Sequence, residues 1–177
     1  MIHTALQKYV ESAFGQETWK TLLARTHLES ELFTPLGTYP DTQIAALVTE
    51  AEALSGIPAT ALLEGFGEFL VPTYLALYGN LLKPEWRTLE VIENTEETVH
   101  RVVRIRNAGA EPPRLRVRRT ANDEVELTYD SARKLCAVAR GIGRGVAKQF
   151  EQSLDIRDRS CMLRGDPTCV IAFRLRA

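Results

Sequence analysis

The chain predicts an α+β fold, a helical front half followed by a ββαββ back half. Three observations carry this. Apolar residues recur at helical spacing through most of the first hundred positions. After Pro112-Pro113 the period switches to two. A stretch rich in small residues, from Arg133 to Phe150, then separates two pairs of strand-like segments. The expected organisation is one domain over residues 1–177: a helical N-terminal subdomain (1–60) packed on a C-terminal subdomain (61–177) with a four-stranded antiparallel sheet and helices.

Ile2, Leu6, Tyr9, Val10 and Ala13 share one helical face, and Gly15 after Phe14 supplies a C-terminal stop. Gln16 to Thr26 forms the next helix, with Trp19, Leu22 and Leu23 on one side. Leu36 to Asp41 reads as a loop whose last residue caps a helix over Ile44–Leu54. Ser55-Gly56-Ile57-Pro58 ends that helix and opens another over Ala59–Phe69, with a further helical piece between Pro72 and Leu82. Leu89 to Arg106 fits helix or strand, and helix is favoured. Leu115 and Val117 alternate with Arg114, Arg116 and Arg118, while Val125, Leu127 and Tyr129 alternate with polar residues. These two strands form a hairpin turning at Ala121-Asn122-Asp123. Arg133 to Phe150 is the following helix, and strands near Leu154–Arg159 and Val170–Leu175 end the chain.

The composition, 45% hydrophobic and 25% charged, is that of an ordinary globular domain. No apolar run has the length of a membrane span, and the N-terminus lacks a signal-peptide pattern, so a cytoplasmic location and no membrane partner are expected. Three cysteines, Cys136, Cys161 and Cys169, are an odd number and argue against a disulfide framework. The net charge of -1 hides an asymmetry: residues 1–100 carry 5 Lys+Arg against 14 Asp+Glu, and residues 101–177 carry 17 against 9. Two oppositely charged halves facing each other is the favoured reading, with a basic face for an acidic partner or anionic ligand as the alternative. The arginines at 101, 104, 106, 114, 116, 118 and 119 lack interleaved aromatics, so no nucleic-acid partner is expected. No nucleophile–base pair or paired acids stand out, and no enzyme activity is expected. His3 and His27 have no motif around them and read as surface residues.

One constellation carries chemistry. On a strand, the hydroxyls of Tyr129 and Ser131 point to one face, and Arg133 follows with a guanidinium that takes a carboxylate bidentately. Together they form a receptor for carboxylates. His100, upstream, offers an imidazole to a metal, with Val99 and Val103 as an apolar wall. A carboxylate-bearing metal cofactor answers both, with heme as the foremost candidate.

The chain resembles the heme-nitric oxide/oxygen binding (H-NOX) family, related to the sensor domain of soluble guanylate cyclase. The resemblance runs nearly end to end: Phe14-Gly15 and Thr18-Trp19, Leu36 to Asp41, Gly56-Ile57-Pro58, Phe66-Gly67, Val99-His100, Pro112-Pro113-Arg114, and the Y-x-S-x-R of Tyr129, Ser131 and Arg133. It implies heme b (iron protoporphyrin IX) held between the two subdomains. By the same resemblance His100 is the iron ligand, Tyr129, Ser131 and Arg133 hold the propionates, and Pro113 presses on the porphyrin. Oxygen-binding members share a distal tyrosine five residues after the motif arginine, where this chain has Val138. Leu70 and Ile142 line the same pocket by register. An apolar pocket favours nitric oxide and carbon monoxide over oxygen, provided neither Tyr74 nor Tyr78 reaches in. Some members also bind zinc through four cysteines; three have counterparts here, while Arg164 stands at the fourth position.

The expected function is therefore a nitric oxide sensor that signals in trans to a separate protein such as a histidine kinase or a cyclic-di-GMP enzyme. Two alternatives stay open. One is a heme-free zinc or cysteine redox sensor on this fold. The other is a binding module for a small acidic ligand, in which His100 has no role.

Overall fold

The structure is a computed structural model that describes residues 2–28, 33–34, 37, 39–106 and 112–176. It divides into two compact units, residues 1–66 and 67–177. The helices are α1 (Ile2–Phe14), α2 (Gln16–Arg25), α3 (Asp41–Ser55), α4 (Ala59–Tyr78), α5 (Thr88–Asn94), α6 (Arg101–Arg106) and α7 (Cys136–Gln149). The strands are β1 (Arg114–Ala121), β2 (Glu124–Asp130), β3 (Leu154–Ser160) and β4 (Cys169–Leu175). A π-helical turn, Glu96–His100, joins α5 to α6.

In the first unit, Leu6, Val10, Trp19, Leu22, Ile44 and Leu47 are buried, as the helical periods of α1 to α3 require. Gly15, with φ 90°, ends α1 as expected, its N–H donating to the Glu11 carbonyl at 3.1 Å. Gly56 ends α3 in the left-handed region. Asp41 is the first residue of α3, and Pro40 stands at the cap position, where it makes no side-chain cap hydrogen bond. Leu36 and Thr38, part of the expected loop, lie outside the described residues. His3 is buried and not a surface residue: it shares the α1 stripe with Leu6 and Val10, and its ring lies 5.2 Å from Phe33 and 5.1 Å from Tyr39. His27 is exposed, as expected. A cavity of about 430 Å³ is bounded by α1, α2, α3 and the start of α4, with Tyr9, Trp19, Leu47 and Phe66 among its walls.

Two helices expected around Pro72 are one, α4, which runs through the proline. An interior proline costs roughly 3 kcal/mol or more. Leu70 and Val71 beside it are buried, and two such side chains contribute roughly 3–6 kcal/mol. Pro72 itself is exposed, so its ring does not disturb the core.

The sheet order is β1-β2-β4-β3 with every pairing antiparallel. Leu115, Val125, Leu127, Tyr129, Leu154, Ile171 and Phe173 form the buried face and pack with Leu89 and Ile92 of α5 and Ala147 of α7. The glycines of α7 let it approach its neighbours. A Cβ on Gly143 would lie 2.3 Å from the buried Phe173 ring, and one on Gly67 of α4 would lie 2.3 Å from the Val138 carbonyl of α7. The α+β fold with a four-stranded antiparallel sheet is thus the one the sequence predicts.

Candidate functional site

His100 sits at the end of the π-helical turn, and local side chains explain why the helix widens there. Asn94 Nδ2, Thr95 Oγ1 and Thr98 Oγ1 donate to the carbonyls of Glu90, Val91 and Asn94 at 2.8, 2.7 and 2.6 Å. Such back-bonding competes with the helical ladder. Val99 and His100 both donate their N–H to the Thr95 carbonyl, each at 3.0 Å. Single π turns of this kind recur at functional sites.

The imidazole is held by Glu96. His100 Nδ1 and Glu96 Oε2 are 2.9 Å apart, the Leu115 backbone N–H donates to the same oxygen at 3.2 Å, and Arg104 Nη2 donates to Oε1 at 2.5 Å. Burial pushes the His100 ring below its usual range, outweighing Glu96 and the Pro113 carbonyl, which favour the protonated form. Burial alone would raise the Glu96 carboxyl, but hydrogen bonds from Arg104, His100 and Leu115 hold it below the usual range. Nδ1 thus faces a carboxylate, and the tautomer that donates Nδ1–H to it carries the lone pair on Nε2. Glu96 belongs to none of the sequence motifs, and its i,i+4 spacing to His100 is the one local signal for the pair.

Tyr129 closes the buried face of β2, opposite Leu115 of β1 and Cys169 of β4. The strand ends at Asp130, so Ser131 lies beyond it and not on the same strand face. The two hydroxyls still meet: burial raises the Tyr129 phenol, while hydrogen bonds from the Ser131 hydroxyl and the Leu135 N–H act against that rise. Ser131 Oγ also accepts the Arg133 backbone N–H at 3.3 Å. Lys134 takes a positive φ of 52°, and α7 starts only at Cys136, later than its expected Arg133 start. Arg133, half-buried, stands in this turn.

Pro113 precedes β1 and is half-buried. Leu70 on α4 and Val138 on α7 are buried. Ile142, half-buried on α7, packs against the cluster of Val71, Val91 and Val146. Tyr74 lies one turn beyond Leu70; burial pushes its phenol up to about 12, and its ring is 6.4 Å from that of Tyr78. All eight sequence-predicted site residues fall in the second unit.

A sequence model of the haem-NO-binding family matches residues 1–158. The chain belongs to the H-NOX family. Solved H-NOX structures share its fold. The protein from S. oneidensis in the Fe(II)NO state has a TM-score of 0.90 at 20% identity, covering 99% of this chain and 98% of that one. The unliganded Fe(II) protein from K. algicida gives 0.89 at 22% identity over 99% and 95%. A variant of the T. tengcongensis H-NOX gives 0.81 at 18% over 99% and 96%. A comparison with curated proteins gives no match. H-NOX domains bind heme and are gas sensors.

A second cluster lies beside the sheet of this H-NOX chain. The sulfurs of Cys136, Cys161 and Cys169 lie within 4.8 Å of one another, and all three residues are buried. Cys161 Sγ is 3.8 Å from Cys136 and 3.9 Å from Cys169. Burial pushes the Cys136 thiol up to about 12 and raises Cys169 as well. For Cys161 burial acts the same way, but the Leu163 N–H and the other two thiols outweigh it and lower its pKa. Arg164 is exposed, and no fourth nitrogen or sulfur ligand joins the cluster among the described residues. Three thiols fall short of the four ligands of a closed zinc site. No single described helix is long and apolar enough to cross a membrane.

Proposed function

We propose that this H-NOX domain is a nitric oxide sensor that holds heme b through His100 and reports to a separate protein. The observation that carries the reading is the His100 side chain, only 15% exposed, with Nδ1 2.9 Å from Glu96 Oε2, the arrangement of a metal-ligating histidine. The remaining residues fit the same group. Tyr129 and Ser131 bring two hydroxyls together beside Arg133, a donor set for propionates. When bound, heme supplies a ferrous iron that takes diatomic gases.

The chain's residues then divide the work. His100 would offer Nε2 to the iron, Glu96 would orient the ring, and Pro113 would bear on the porphyrin. Leu70, Val138 and Ile142 form an apolar distal wall that itself offers no hydroxyl, while Tyr74 carries one a turn beyond Leu70 on α4. Oxygen needs a donor there and nitric oxide does not, so this wall selects nitric oxide, with carbon monoxide tolerated. Were His100 released, the π turn and α6 that carry it would be free to move while Pro113 stays in place before β1, a two-state element of the kind a sensor needs.

Output in trans has a surface to use. Arg101 and Arg106 on α6 and Arg114 and Arg116 on β1 are exposed and have no ion-pair partner among the described residues, and Ile105 is 73% exposed. An acidic face on a histidine kinase or a cyclic-di-GMP enzyme would meet this basic patch. The domain itself is read as a non-enzyme that works in the cytoplasm, without nucleic-acid or membrane partners.

The deciding experiment is the visible spectrum of the protein, reduced anaerobically and then opened to air. A heme band that changes only by slow oxidation supports the reading; a stable oxygen complex refutes nitric oxide selectivity. His100→Gly with added imidazole should reproduce the unliganded state, with a changed partner response. The three-thiol cluster favours a second reading, a zinc or thiol redox sensor, which requires zinc or a disulfide and no heme in the isolated protein.

A further inference from the structure

Glu96 is shared among three elements. Its Oε2 takes His100 Nδ1 at 2.9 Å and the Leu115 N–H of β1 at 3.2 Å, while its Oε1 takes Arg104 of α6 at 2.5 Å. The side chains of His100 and Glu96 are 15% and 22% exposed, so solvent screens their contact weakly. A carboxylate that accepts one ring N–H makes the other nitrogen a stronger electron donor. A guanidinium on the same carboxylate draws that charge away.

We propose that Glu96 is a positioning residue that sets the strength of the bond His100 makes to iron, with Arg104 opposing it on the same carboxylate. The inference rests on His100 being the heme ligand. It makes the balance between Glu96 and Arg104, and not the imidazole alone, the determinant of how readily His100 lets go when nitric oxide arrives. A stronger pull by Glu96 keeps His100 attached, and a stronger pull by Arg104 frees it. Because Leu115 shares the oxygen that holds His100, the departing imidazole also leaves β1 with a changed hydrogen bond.

The test is resonance Raman spectroscopy of the ferrous, heme-loaded full chain, read at the iron–histidine stretching band. Glu96→Ala should lower the frequency, Arg104→Ala should raise it, and Glu96→Gln should fall between wild type and Glu96→Ala. The fraction of molecules with His100 detached after nitric oxide addition should follow the same order. Glu96→Ala should shift that equilibrium roughly tenfold toward detachment. A merely structural Glu96 predicts no opposite sign for Arg104→Ala, so shifts in one direction only, or none, overturn the proposal. Should Glu96→Ala fail to fold, Glu96→Gln and Arg104→Ala still give the two signs. A wild-type protein without an iron–histidine band overturns the His100 reading and the proposal together; a wild-type band with unmoved variants overturns the proposal alone.

Discussion

Val138 is a buried aliphatic residue on α7 at the position where oxygen-binding relatives are expected to carry a hydroxyl. Val138→Tyr restores a donor, and the expected outcome is an oxygen complex whose visible spectrum persists in air, whereas the parent only oxidises slowly. Glu90 makes a different point about single residues. Burial raises its carboxyl, but the hydrogen bond from Arg119 at 2.8 Å and those from backbone N–H groups hold it below the usual carboxylate range. A depressed carboxyl stabilises the fold above its unfolded pKa, and that stabilisation is lost as pH falls through the folded value. Urea unfolding should therefore show Glu90→Gln less stable than wild type at pH 7, with the gap closing on acidification below about 4.5. Glu90 is partly exposed, so the effect is modest and shrinks in salt.

α4 and α7 cross where Gly67 meets the Val138 carbonyl, the Ile142 nitrogen and the Gly141 Cα. Backbone cannot step aside as a flexible side chain can. Gly67→Ala should cost about 1–3 kcal/mol in urea unfolding and broaden the heme absorption band by displacing α7. The π turn is an element-scale device as well. Thr98→Val removes the hydroxyl that occupies the Asn94 carbonyl at 2.6 Å and should let the segment tighten toward α-helix. His100 then turns away from Glu96, read as a loss of heme occupancy with secondary structure unchanged in far-ultraviolet circular dichroism. Much of this scale was legible. The residue pattern of Leu89 to Arg106 admits helix and strand, and the helix forms; its widened turn leaves no mark in hydrophobic periodicity, because it comes from side chains capturing carbonyls. Pro72 is a breaker by local rules, and only the burial of Leu70 and Val71 overrides it.

At the scale of the whole molecule, the charge asymmetry is partly consumed inside the second unit. Arg119 pairs with Glu90 and Glu93 of α5, and Arg144 and Lys148 with Glu68 of α4. The arginines at 101, 106, 114 and 116 have no such partners among the described residues. Reversing two of them, Arg101→Glu with Arg106→Glu, should weaken binding of an acidic partner and flatten its salt dependence, leaving heme binding unchanged. Heme removal should lower the thermal midpoint. A cofactor present at a thousand times its dissociation constant contributes roughly 4 kcal/mol, measurable by calorimetry of the loaded and heme-free chains.

Hydrophobic period fixes which face of a strand or helix is buried, so the α+β class, the hairpin at Asn122, the strand pairs and the helix stop at Gly56 follow from the chain alone. So does the motif of Tyr129, Ser131 and Arg133, because its residues are close in sequence. The i,i+3 spacing of His3 to Leu6 likewise places His3 on the buried stripe of α1. Contacts between distant residues are another matter. That Leu115 shares Glu96 with His100, that Cys161 lies 3.8 Å from Cys136, and that Gly67 admits α7 are decided by tertiary structure. Period and propensity report how a segment meets an average environment; which side chain completes a partner's hydrogen bond depends on where the chain returns.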